Sequence, residues 1–106
     1  MIPFSDFQKL DIRIGTIIEA APIKGSEKLL RLMLDFGDEK RQIVAGIAAW
    51  YTPEELLQKQ IPVIANLEPR MIKGVESQGM ILAADDEGRA VLLHPEKPVA
   101  KGSKVR

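Results

Sequence analysis

An all-β fold, a small barrel of short strands closed around one core, is what the sequence predicts, and three observations predict it. Short apolar and β-branched runs alternate with polar residues at period two and are separated by Gly, Pro and Asp-rich turns. The one strong helix start in mid-chain, Thr52-Pro53-Glu54-Glu55, falls between the third and fourth runs. Gly15 interrupts the first run, where it fits a bulge or a sharp bend that turns a strand round a barrel corner.

Ser5 offers an N-cap for at most one helical turn. DIRIGTIIEAA, residues 11–21, is the first strand, with Ile12, Ile14 and Thr16 on one face and Arg13 and Gly15 on the other, which sets Arg13 outward. Pro22, Gly25 and Ser26 mark a loop. LLRLMLDF, residues 29–36, fits helix or strand by period alone; its length and the Gly37–Asp38 turn favour a strand. RQIVAGIA, residues 41–48, reads as its hairpin partner across GDEK. TPEELLQK is a short helix with its acidic residues in the first turn. QIPVIANL is a fourth strand, and Pro62, which cannot donate to a ladder, places itself at a strand start or a sheet edge. GMILAADD, residues 79–86, is a fifth strand, and RAVLLHP pairs with it across the turn at residues 85–88. The tail EKPVAKGSKVR is a basic C-terminal extension. A helix between strands three and four of a five-stranded barrel is the OB-fold pattern; a two-sheet sandwich is the alternative.

At 106 residues the chain has material for one core and is expected to be a single domain, 1–106. Zero cysteines exclude disulfides, zinc–thiolate sites and thiol catalysis. No run approaches the ~20 apolar residues of a membrane span, and MIPFSDFQKLDI lacks the layout of a signal peptide, so a cytoplasmic protein is expected. Fifteen basic and fifteen acidic residues cancel, which removes the global field usual in a nucleic-acid binder and leaves only a local cluster to hold an anion.

Catalysis finds little support. Gly74-Val-Glu-Ser77-Gln-Gly79 has the spacing G-x-x-S-x-G rather than that of a nucleophile elbow. The single His, His94, stands at a strand end beside Pro95 with no orienting partner in view. Asp85-Asp86-Glu87 suits a polar hairpin tip better than a cation site, and no phosphate-binding glycine loop exists. No enzyme, cofactor or metal is expected.

The informative stretch is NLEPRMIKGVESQGMILAA, residues 66–84, which sets polar and basic groups between two core strands. Arg13, Arg41, Asn66, Arg70, Lys73 and Ser77 all fall at strand ends or in connections. Such residues are either solvated rim with surface ion pairs of ~0–1 kcal/mol each, or a site where Arg and Lys neutralise phosphates while Asn and Ser donate to sugar, base or phosphate oxygens. Trp50 and Tyr51 fit packing or capping better than base stacking.

DIRIGTI, SEKLLRL, RQIVAGIA and NLEPRMIKGVESQGMILAA together resemble the tRNA-binding domain family, a module found at the C-terminus of many methionyl-tRNA synthetases and also free-standing. The resemblance implies an OB-fold that binds tRNA by shape and backbone without catalysis. It implies a homodimer through the C-terminal segment, residues 94–106, and a synthetase catalytic region as a further partner. Carried over by motif, the tRNA-binding residues are Arg13, Lys28, Arg41, Asn66, Arg70, Lys73, Ser77 and Met80, although an apolar residue entering a strand, as Met80 does, is core by default. The chain departs from the pattern at Glu68, where relatives often carry Lys, and at Met71, frequently basic in them. Both departures imply weaker binding. An export-related chaperone branch of the same fold, binding unfolded polypeptide as a homodimer, is the alternative; RQIVAGIA and the S-x-G-M motif favour the tRNA branch.

Overall fold

The first strand, β1 (Ile12–Pro22), is the longest in the computed structural model, which describes residues 1–106. It is long because it serves two antiparallel neighbours. Residues 12–16 pair with β4 (Gln60–Ile64), and residues 16–22 pair with β2 (Leu30–Asp35). β2 continues to β3 (Lys40–Ala45), and β4 continues to β7 (Met80–Ile81), so the sheet runs β3-β2-β1-β4-β7. The free edge of β3 then meets residues 77 and 78. Gln78 N–H donates to Gln42 O at 2.8 Å, and Val44 N–H donates to Ser77 Oγ at 3.0 Å. The result is a nearly closed five-stranded antiparallel barrel, with α2 (Pro53–Leu56) between its third and fourth strands as expected.

Strand alternation fills the interior. Ile17, Leu30, Leu32, Leu34, Ile43, Ile61 and Val63 are fully buried, and α2 adds Leu56 as a plug. α2 is only one turn long, so its start must be fixed chemically. Thr52 Oγ1 accepts from Glu55 N–H at 3.4 Å, and the Glu55 carboxylate accepts from Thr52 N–H at 2.9 Å. That backbone donation holds the Glu55 carboxyl below its usual range. Thr52→Ala is expected to remove about 1 kcal/mol of stability, visible as a lower urea midpoint at unchanged m-value.

The bend of β1 is not at Gly15. Register slips between Ile17 and Glu19, which makes Ile18 the extra residue. Gly15 is a packing glycine instead: a Cβ there would stand 2.9 Å from Leu34 Cδ2 and from Phe36 Cε1. Gly15 faces Ile61 across the ladder and Arg13 faces Val63, and directly paired residues share a face. Arg13 therefore lies on the interior side, at the end of the barrel, and not outward as the sequence suggested.

Other expectations need correction too. The N-cap of α1 (Phe4–Phe7) is Pro3, not Ser5, and makes no side-chain bond. The stretch 79–86 is two strands. β7 leaves β4 after Leu82 N–H donates to Pro62 O, and the chain turns away into β8 (Ala83–Asp86), which pairs with β9 (Arg89–Leu92). Pro62 has neighbours on both sides, so it is at no sheet edge; its missing N–H coincides with the point where the β4–β7 ladder stops. The C-terminal extension takes the edge of β1 that β2 does not reach. Gly102 N–H donates to Ile14 O, Ile14 N–H to Ser103 O and Val105 N–H to Ile12 O, each at 2.8 Å. No helix is long and apolar enough to cross a membrane.

Candidate nucleic-acid interface

The polar stretch after β4 folds into a hairpin that the sequence did not announce as strands: β5 (Arg70–Ile72) and β6 (Val75–Ser77). Its link is Lys73–Gly74, with φ of 51° and 78°. Two consecutive positive φ values match the twist of an antiparallel pair, and glycine supplies the second without strain. Arg70 and Ile72 lie on one face with Val75 and Ser77, and Met71 and Glu76 lie on the other.

Half of the residues expected at the site have their polar groups engaged within the protein. Asn66 Oδ1 accepts from Asp11 N–H at 2.8 Å and its Nδ2 donates to Lys9 O at 2.7 Å, which ties the entry of β1 to the exit of β4. Ser77 is buried, accepting from Val44 N–H and donating to Gly79 O at 3.1 Å. Arg13 grips Asp11 through Nε at 3.0 and 3.1 Å and through Nη2 at 2.9 Å. That guanidinium hydrogen bond lowers the Asp11 carboxyl below its usual range. Arg41 Nε donates to Glu39 at 2.7 Å, while its Nη1 donates to Ala65 O and, at 3.3 Å, to Gln78 O. Glu39 also lies 3.9 Å from Arg13, so Arg13, Arg41 and Asn66 do converge on one end of the barrel, inside a network whose acids offset its bases.

The other half are free. Arg70, Lys73 and Lys28 are exposed and none of their side chains makes an ion pair or a hydrogen bond. Met80 is 46% exposed, against the default that placed it in the core. Its backbone pairs with Ile64 while its side chain joins Leu67, Arg70 and Ile72 around a cleft of about 70 Å³. A second shallow cleft shares Leu67 and is walled by Glu39, Lys40, Arg41, Pro69 and Gln78. Lys28 is apart from these: it precedes Leu30, which pairs with Ala45, whereas Arg41 pairs with Leu34 near the other end of the β2–β3 ladder.

Sequence reasoning passed over Lys40, which is exposed and without an ion pair. The signal was the Lys40-Arg41 pair itself, because adjacent strand residues point to opposite faces. Trp50 is exposed, and Tyr51 accepts from Leu92 N–H at 3.1 Å, so the second of these aromatics caps β9.

Residues 12–104 match the family described as "Putative tRNA binding domain". Over its whole length the chain is 61% identical to the methionine–tRNA ligase of Methanothrix thermoacetophila, of which it spans only 16%. Its fold is similar to that of a MetRS-related protein from Pyrococcus horikoshii, with a TM-score of 0.95 and 37% identity over 100% of this chain and 98% of that one. It is also similar to the chaperone CsaA of Bacillus anthracis, with a TM-score of 0.92 and 34% identity over 100% and 99% of the two chains.

Proposed function

The chain belongs to the tRNA-binding domain family, and from that premise we propose that residues 1–106 act as one non-catalytic module that holds tRNA by shape and backbone. It works either as the C-terminal piece of a methionyl-tRNA synthetase or as a free-standing protein acting in trans, in the cytoplasm. By raising the local concentration of tRNA beside a catalytic region, such a module can multiply apparent affinity by ~10²–10⁴.

The observation that carries this reading is the β5–β6 hairpin, which holds Arg70 and Lys73 free of internal partners on a chain whose charges cancel overall. Cations that are already paired add little field, whereas unpaired ones on a fixed scaffold can displace condensed counterions. Filter binding of bulk tRNA across a range of salt concentrations tests it. Affinity should fall log-linearly with salt, by about 0.7–0.9 units of slope for each phosphate contacted. Undetectable binding at low salt, or a flat dependence, rejects the reading.

A second reading, capture of unfolded polypeptide, draws on the likeness to CsaA and on the apolar side chains that the same hairpin region exposes, Leu67, Met71 and Met80. It predicts suppression of aggregation of an unrelated unfolded protein that survives removal of Arg70 and Lys73, whereas tRNA binding should not survive it.

The C-terminal segment, residues 94–106, would supply a homodimer contact. Val99 within it and Leu93 immediately before it, 37% and 44% exposed, are the apolar handles there. Deleting the segment from Glu96 would also strip β1 of its edge partner, so point substitutions are cleaner. Leu93→Glu with Val99→Glu should give monomers in sedimentation with unchanged far-UV circular dichroism; persistence of a dimer moves the interface elsewhere.

A further inference from the structure

We infer that Arg41 serves the site as a positioning residue that clamps both stems of the 66–77 excursion, and that the phosphate contact at the start of β3 is made by its neighbour Lys40. The clamp stands on geometry alone; the Lys40 half rests on the tRNA-binding reading.

Strand alternation separates the two side chains. Arg41 pairs with Leu34 and so lies on the core side, while Lys40 pairs with Asp35 on the outer side. Arg41 is then committed three ways. Its Nε holds Glu39 at 2.7 Å, and its Nη1 reaches the carbonyls of Ala65 and Gln78. Those two residues immediately precede and follow the excursion that carries the hairpin. Each stem is secured again beside the clamp, by Asn66 on Lys9 O and by Ser77 on Val44 N–H. Drawing the guanidinium out toward a phosphate would leave two part-buried carbonyls without a donor. With Nε fixed on Glu39, the rigid plane of the guanidinium aims Nη1 at both stems; an ammonium carries the same charge without that geometry.

Lys40 has the opposite character. It is exposed and makes no ion pair. The carboxylate opposite it, Asp35, is already occupied by Gly37 N–H at 2.9 Å and by Lys101 Nζ at 3.0 Å. Lys40 lines the cleft at the foot of the hairpin with Glu39, Arg41, Leu67, Pro69 and Gln78, and Leu67 also lines the neighbouring cleft that holds Arg70. Glu39 is already engaged by Arg41.

The test compares Arg41→Lys, Arg41→Gln and Lys40→Gln with the native chain by two measurements. The first is amide hydrogen exchange over residues 70–77 in the free protein. The second is bulk tRNA binding across salt. Both Arg41 variants should speed hairpin exchange about tenfold and weaken tRNA binding about tenfold with unchanged salt slope, the lysine doing no better than the glutamine. Lys40→Gln should leave exchange as it is and reduce the slope by about 0.7–0.9. Unchanged exchange in Arg41→Lys overturns the clamp. If Arg41→Lys binds like the native chain while Arg41→Gln loses about one unit of slope, Arg41 is itself the phosphate contact. An unaltered slope in Lys40→Gln overturns the second half. Should the native chain fail to bind tRNA at all, the proposed function falls and takes Lys40 with it, while hydrogen exchange still decides the clamp.

Discussion

Gly102→Ala should lower the thermal midpoint by roughly 10–20 °C, on the order of 2–4 kcal/mol. Gly102 has φ of +82°, and a Cβ added to it would stand 2.3 Å from Phe36 O, with the Phe36 carbonyl carbon 3.3 Å away. The obstacle is backbone and cannot rotate aside. Phe36 is itself buried in the core, so moving it disturbs the packing around it. The cheaper response is for the C-terminal segment to lift off β1, which forfeits the bonds from Gly102, Ser103 and Val105 to Ile12 and Ile14. At ~0.5–1.5 kcal/mol net for each such bond, detachment sets the ceiling on the effect. Hydrogen exchange at the Ile14 amide should rise with it. Gly25→Ala is the matched control: φ is +85° but nothing lies within 4 Å of the added Cβ, so only the backbone preference is felt. If the two variants melt within a degree or two of each other, the C-terminal segment is not seated as described.

The barrel was legible because alternation is a property of side chains, and side chains are what a sequence records. Its details were less so where the backbone decides. Gly15 reads the same whether a missing Cβ permits a bend or makes room for Leu34 and Phe36, and the true bulge at Ile18 is hidden in an unbroken apolar pair, Ile17–Ile18. Likewise 79–86 looked like one strand because nothing in the side chains marks the change of partner at Leu82. The hairpin at 70–77 escaped notice because each arm is three residues long and a lysine fills the first left-handed turn position, although Lys-Gly between short apolar-containing arms is a weak hairpin signal.

At the site, residue types were readable and their engagements were not. Nothing near Arg41 in sequence reveals that its guanidinium reaches carbonyls 24 and 37 residues away. Counting basic residues therefore overstated the free charge at the barrel end, where Asp11, Asp38 and Glu39 surround Arg13. A basic residue contributes to anion binding only through the charge its own neighbours leave uncompensated.

By that rule the double substitution Arg70→Glu with Lys73→Asn should nearly abolish tRNA binding. Both side chains are exposed and unpaired, so neither replacement breaks an internal bond. Asparagine tolerates the positive φ of 51° at position 73 better than most residues, so the turn is kept while the charge is lost. Removing two phosphate contacts should reduce the salt slope by about 1.4–1.8, with affinity at low salt falling roughly a hundredfold. The glutamate at 70 would also stand near Glu68 and repel the backbone. The converse change is as informative. Glu68→Lys puts a cation beside the cleft that Arg70 and Met80 line, and should strengthen binding several-fold while steepening the slope by up to about one unit. Loss in the double variant paired with gain in Glu68→Lys locates the anion on this face of the hairpin. A double variant that keeps the native slope places the RNA on some other surface, however well its fold matches that of its relatives.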